Sequence, residues 1–312
     1  MENASLKIGH SLNLASDISV NMAVAKSSLE GYDMDTVYIL TELDIYEGNE
    51  KVGTRTTRIL PTEQGNYYYF VLTGLTAVHM NDQFRSVLYG TKNGQPYYSP
   101  TDEYSISEYA YAQLAKPAAK DSLKNLCAEL LRYGAKAQIF KNYRTDALVD
   151  SSMTDADRAR LMDLDAVTFG STNFTLQDVD SPSAKWIGKA LDLNSKVTLK
   201  LVFDLVDYAG DPSALTLKLS YTDRTGTMKE AVLVSPEAYS STAGRYAFSF
   251  DGLLAAELRN TITAQIYSGE TPVSYTLFYS ADTYCANKTG NLDILCRALL
   301  TYSDSAKLYF LG

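Results

Sequence analysis

His10 and His79 are the only imidazoles in this chain, and Cys127, Cys285 and Cys296 are its only thiols. A Ser-His-Asp nucleophile would need one of those two histidines held by a carboxylate. Serine and aspartate are too common here to single out a partner, so an ordinary surface or edge histidine is the simpler reading of each. No GxGxxG, Walker, GxSxG or HExxH motif occurs, which leaves phosphate-loop, serine-hydrolase and zincin chemistry without support. Asp33-Met34-Asp35 and Asp178-Val179-Asp180 could touch Ca²⁺, a cation that wants roughly six to eight oxygens. Neither resembles an EF-hand loop, and turn carboxylates explain both. Composition does not remove a paired-carboxylate glycosidase among 37 acidic residues, but duplicated small sandwiches are an unusual frame for one. These residues assign no catalytic group, no metal and no cofactor.

Tyrosine is the residue type in excess, at 24. In Tyr67-Tyr68-Tyr69-Phe70 a strand puts Tyr67 and Tyr69 on one face, Tyr68 and Phe70 on the other. Tyr97-Tyr98 follows Asn93-Gly94-Gln95-Pro96, at a loop-to-strand corner. Exposed tyrosine supplies wide contact area at low entropic cost, so Tyr67, Tyr69, Tyr97 and Tyr98 are the candidate ligand-binding residues. Tyr89/Tyr267, Tyr104/Tyr279, Tyr109/Tyr284 and Tyr133/Tyr302 recur at equivalent places and read as packing residues. Core packing is the default for Trp186, the sole tryptophan, and a sugar-stacking platform its alternative.

Those recurrences belong to a duplication. Leu12-Asn13-Leu14-Ala15-Ser16-Asp17-Ile18-Ser19-Val20 is echoed by Leu191-Asp192-Leu193-Asn194-Ser195-Lys196-Val197-Thr198-Leu199. Leu123, Leu126, Cys127, Leu130, Leu131, Tyr133 and Ala137 match Leu292, Leu295, Cys296, Leu299, Leu300, Tyr302 and Ala306 at identical internal spacing. The alignment sets His79 opposite Glu257. Each copy opens with period-two apolar alternation, as in Leu12 to Val24, Thr36 to Tyr46 and Tyr67 to Leu72, broken by turn signals. Each closes with three- and four-residue apolar steps, the mark of an amphipathic helix. The spacing predicts an α+β protein: two antiparallel β-sandwiches, each followed by an α-helical hairpin. Residues 5–143 and 168–312 are the copies, and 144–167 a linker with a short helix capped near Thr154.

With 312 residues, 46% of them hydrophobic, the chain has material for two packed domains at about 150 residues each. No apolar run is long enough to cross a bilayer, so no membrane insertion is expected. A net charge of −9 without a basic cluster excludes a nucleic-acid footprint. Three cysteines without a CxxC pair define no disulfide framework. Cys127 and Cys296 read as small buried hydrophobes, while Cys285 and Cys296 flank a short turn that a bridge could span. The start, Met1-Glu2-Asn3-Ala4, has no signal-peptide pattern; the expectation is a cytoplasmic protein or a piece of a longer exported one.

Leu12 to Asn21 resembles a strand motif of large surface proteins of gut Clostridia, notably Lachnospiraceae and Ruminococcus. Tyr104-Ser105-Ile106-Ser107-Glu108-Tyr109-Ala110, followed by Leu130 to Gln138, is similar to the helical hairpin of the same module. The second copy departs from it where Tyr302-Ser303-Asp304 replaces the glycine-containing segment, and the strand motif departs at Met22-Ala23. The resemblance implies a secreted or cell-surface protein without catalysis. Some surface proteins of this style bind host immunoglobulin variable domains. A monomeric binding module for a host protein such as immunoglobulin is therefore the leading expectation. A carbohydrate-binding module and a ligand-free spacer are the alternatives.

Overall fold

A computed structural model describes residues 1–14, 18–170, 173–193, 196–240 and 244–312. Ala15-Ser16-Asp17 and Asn194-Ser195, at the centre of the duplicated strand motif, lie outside the described residues. Two compact units are present, Met1–Leu161 and Met162–Gly312.

The first unit runs through β1 (Gly9–Asn13), β2 (Ser19–Ala25), β3 (Tyr32–Glu47), β4 (Glu50–Ile59), β5 (Thr62–Gln64), β6 (Tyr67–Leu72), β7 (Phe84–Lys92), β8 (Gln95–Tyr98), β9 (Asp102–Tyr104), α1 (Ile106–Ala115), α2 (Asp121–Lys141) and α3 (Asp155–Arg158). One antiparallel sheet has the order β1-β2-β6-β5, and the other β4-β3-β7-β8 with β9 also on β7. Alternation builds the core between them. Val20, Met22 and Val24 of β2 and Phe70 and Leu72 of β6 are buried from one sheet; Val37, Ile39, Phe84 and Leu88 are buried from the other. Asn93 and Gly94 form the two-residue β7–β8 turn, both with positive φ (51° and 72°), the backbone that a tight twisted hairpin demands.

Helix α2 buries Leu126, Leu130 and Leu131. It passes close to the 3-10 turn Ala77–Asn81: a Cβ on Gly134 would lie 2.7 Å from Met80 Sδ and 2.9 Å from Val149 Cγ1. Asn142, in the left-handed conformation, ends the helix, a role asparagine fills after glycine. The segment 144–161, expected as part of a linker, lies in the first unit. Buried Gln138 accepts from the Val149 N–H at 2.9 Å and donates to the Ala147 carbonyl at 3.2 Å. The Thr154 hydroxyl caps α3.

The second unit comprises β10 (Phe174–Leu176), β11 (Ala184–Leu193), β12 (Val197–Leu205), β13 (Leu215–Thr222), β14 (Met228–Val234), β15 (Glu237–Ala238), β16 (Arg245–Phe250), β17 (Ile262–Ser268), β18 (Thr271–Pro272), β19 (Thr276–Tyr279), α4 (Ala281–Cys285) and α5 (Gly290–Leu311). Its sheets run β11-β12-β16-β15 and β10-β19-β17-β13-β14, with β18 on β17. Strand for strand this is the order of the first unit, with β10 added beyond β19. Leu295 and Leu299 of α5 are buried, as are Tyr133, Tyr279 and Tyr302.

The α+β class with a helical hairpin after each sandwich is not what the chain forms. The protein is mostly β, with 40% of residues in strands against 25% in helices, and the described residues make four sheets. The second unit ends on one long helix, α5, of 22 residues, preceded by an α4 of only five. Ser280 caps that single turn through the Thr283 N–H. The Lys288 N–H then closes back on the Cys285 carbonyl, and Gly290 adopts φ 61°, so the helical path stops. The Tyr279-Ser280 and Tyr284 spacing that suggests a second hairpin holds one turn and no more.

Candidate functional site

Within β3, Val37, Ile39 and Leu43 face the core, which turns Tyr38, Leu40, Glu42 and Asp44 outward. The register then lays Tyr38 beside Tyr89 of β7, and Tyr89 beside Tyr98 of β8. Their rings form a row across three strands. Tyr38 and Tyr89 stack at 5.3 Å and 17°, and Tyr89 and Tyr98 follow at 6.2 Å and 40°. The exposed guanidinium of Arg58, on β4, lies 4.1 Å from the Tyr38 centroid, a cation–π contact. Leu40 and Val87 pair across the next rung. A groove of about 310 Å³ runs beside the row, between Asp35, Thr36, Pro96 and Tyr97.

Charge flanks the aromatic row. Asp44 pairs with Arg85 at 2.7 Å and with Lys51 at 2.8 Å. The Arg85 hydrogen bond holds the Asp44 carboxyl well below the usual carboxylate range. The whole face offers stacked tyrosine, one free-edged guanidinium and paired charges. That chemistry suits recognition of a surface.

The four expected tyrosines are not brought together. Tyr98 is in the row and 39% exposed; Tyr97 points to the other side of β8, edge-on to Tyr32 at 6.0 Å, and borders the groove. Tyr67 and Tyr69 lie on β6, in the other sheet, with rings 6.2 Å apart and tilted by 54°. Registers place Arg245 and Ala247 at their positions in the second unit. Tyr38 and Tyr89, which stack in the row, are not among those four. The match of Tyr89 to Tyr267 suggests packing, yet both face outward, and Lys218 lies 4.3 Å over the Tyr267 ring. The signal that finds Tyr38 is the Val37-Tyr38-Ile39 alternation.

Both histidines act in the framework. His79 Nδ1 accepts from the Thr76 N–H at 3.1 Å, closing the 3-10 turn Ala77–Asn81. Its counterpart Glu257 accepts from the Leu254 N–H at 2.9 Å, so imidazole and carboxylate perform one capping task. Burial pushes the His79 pKa down. His10 stacks on Tyr104 at 3.9 Å, with Nε2 2.9 Å from Asp102. Asp33 accepts from the Asp35 N–H and Asp178 from the Thr276 N–H, the turn and loop roles expected of short acidic clusters. Among the described residues no group of three or more His, Cys, Asp or Glu is placed to hold a metal.

In the second unit, a cleft of about 700 Å³ lies between Asp180, Lys185, Trp186, Asp207 and Tyr275. The Trp186 indole donates to the Tyr275 carbonyl at 2.8 Å and meets Phe203 edge-on, so it is packed as well as cleft-lining.

No family model and no curated protein matches this chain. Among solved structures, a laminaripentaose-producing β-1,3-glucanase of glycoside hydrolase family 64 from Paenibacillus barengoltzii, complexed with laminarihexaose, is similar at 8% identity and a TM-score of 0.22. The match covers 83% of this chain and 46% of that one. A likeness at that level carries no argument about this chain.

Proposed function

We propose that the chain is a non-catalytic recognition module of a bacterial surface protein, and that its first unit grips a protein partner through Tyr38, Tyr89, Tyr98 and Arg58. The observation that carries this reading is the aromatic row itself, three strands wide, outward-facing and topped by a guanidinium. Tyrosine and arginine are the residues in which binding energy concentrates at protein interfaces. A flat sugar platform wants free, coplanar rings. Here Arg58 covers one face of Tyr38, and Tyr98 is turned 40° from Tyr89.

Host immunoglobulin is the partner to test, as purified Fab fragments over the immobilised chain. Binding is expected to weaken by about thirtyfold or more, the equivalent of roughly 2 kcal/mol, in a Tyr89→Ser, Tyr98→Ser double variant. Tyr67→Ser with Tyr69→Ser is expected to leave it unchanged. Binding that ignores the first pair, or no Fab binding at all, overturns the reading. A glycan-binding reading has one specific support, the second-unit cleft with Trp186, Tyr275 and two carboxylates. A glycan array on the same chain tests it.

A further inference from the structure

We infer that Cys285 and Cys296 form a disulfide, a covalent site that fastens the short α4 to the long α5. Both side chains are fully buried, and the two thiols hydrogen-bond each other. Cys285 closes α4, Cys296 sits on the second turn of α5, and only residues 286–289 separate the helices. The short connection and the shared hydrogen bond put the two sulfurs side by side, where a bridge would form.

The first unit supplies an internal comparison. Aligning Tyr109 with Tyr284, and Leu126 with Leu295, puts Ala110 and Cys127 at the corresponding positions, both also buried. There α1 runs for ten residues and starts with a full capping box between Ser105 and Glu108. In the second unit α4 has five residues and few backbone hydrogen bonds of its own. The second thiol appears in the copy whose helix is too short to hold itself.

The chemistry is thiol–disulfide exchange with a small disulfide such as glutathione disulfide. Before α4 docks, Cys296 loses its proton to solvent. That thiolate attacks the small disulfide, forms a mixed disulfide and expels one glutathione thiolate. Cys285 then loses its proton to solvent, attacks the Cys296 sulfur and expels the second. Two protein thiols are oxidised and one glutathione disulfide is reduced to two glutathiones. Because both thiols are buried in the folded unit, exchange belongs to folding, before α4 docks.

The test is oxidative refolding of the full chain from guanidinium in a glutathione redox buffer, followed by alkylation in denaturant and mass spectrometry. One free thiol, Cys127, and a linked Cys285–Cys296 peptide pair are expected. Three free thiols in natively folded protein, or a bridge that uses Cys127, overturns the inference. The wild-type chain should lose several degrees of Tm on reduction, while Cys285→Ala, which copies Ala110, should melt alike with and without reductant. The thiol count stands even if that variant fails to fold, and none of these readouts depends on the binding partner.

Discussion

Replacing Asp82 with alanine removes the carboxylate that ties the end of α2 to the 3-10 turn Ala77–Asn81. Asp82 is 1% exposed and accepts from the Tyr143 hydroxyl at 2.5 Å and from Arg144 Nη1 at 2.6 Å. Hydrogen bonds to a charged acceptor are each worth about 1.5–3 kcal/mol. The gross loss is therefore about 3–6 kcal/mol. Part returns, because the Arg144 side chain is 20% exposed and can regain water, and because no carboxylate remains to be desolvated. A net loss of about 2–4 kcal/mol is expected. Arg144→Met is the harsher change. It leaves a buried carboxylate hydrogen-bonded to Tyr143 but stripped of its Arg144 cation, and breaking a buried pair from that side costs about 3–5 kcal/mol. Urea unfolding followed by far-UV circular dichroism gives each ΔΔG, and the double variant closes the cycle. The singles should over-predict the double by about 1–3 kcal/mol. An Asp82→Ala loss under about 0.5 kcal/mol, or strict additivity, refutes the idea that this pair anchors the helix end.

Three further perturbations probe the same framework. His79 is held below its usual pKa of 6.5 by burial, so protons bind the unfolded chain more readily than the folded one. Its contribution is complete above about pH 6.5 and declines as pH falls, and His79→Gln, which keeps a capping acceptor, should flatten that slope between about pH 7 and 5. Equal slopes in wild type and variant would remove His79 as the cause. Leu130→Ala should cost about 2–5 kcal/mol in urea unfolding, since Leu130 is fully buried on α2; a loss within error means that α2 is not packed. Gly134→Ala pushes a methyl against Met80 and Val149, and should cost about 1–3 kcal/mol by overpacking. A neutral or stabilising effect would show that α2 has room at that point.

The β framework was legible because alternation is a local signal. Tyr67 to Leu72 is β6 as read, and the apolar stripe from Leu123 to Ala137 is α2. What misled was reading equivalent spacing as equivalent structure. Tyr279, Ser280 and Tyr284 repeat the pattern of Tyr104, Ser105 and Tyr109, but a helix must also be long enough to sustain itself, and Gly290 follows too soon. The candidate site was half legible. Tyr98 stands out as an unmatched residue, whereas the partner of Tyr89 in the other copy disguises it as packing. A repeated residue can still face water, and burial depends on the neighbouring strands, which no single segment reveals. His79 and Glu257 were aligned correctly, yet their shared acceptor role appears only when the Thr76 and Leu254 N–H groups come into view.

Gene duplication gains freedom from the way strands interleave their two faces. Thr216, Tyr267 and Pro272 stand in the second unit where Tyr38, Tyr89 and Tyr98 stand in the first. Immediately beside them in the chain, Leu215, Leu217 and Ile266 stay buried, as Val37, Ile39 and Leu88 do. Outward substitutions of this kind usually move stability by no more than about 0.5 kcal/mol. One copy can therefore drift toward a new ligand, or lose its ligand, while its neighbours in sequence go on specifying the same sandwich. Selection for what the face touches and selection for whether the domain folds act on alternate residues of the same strands.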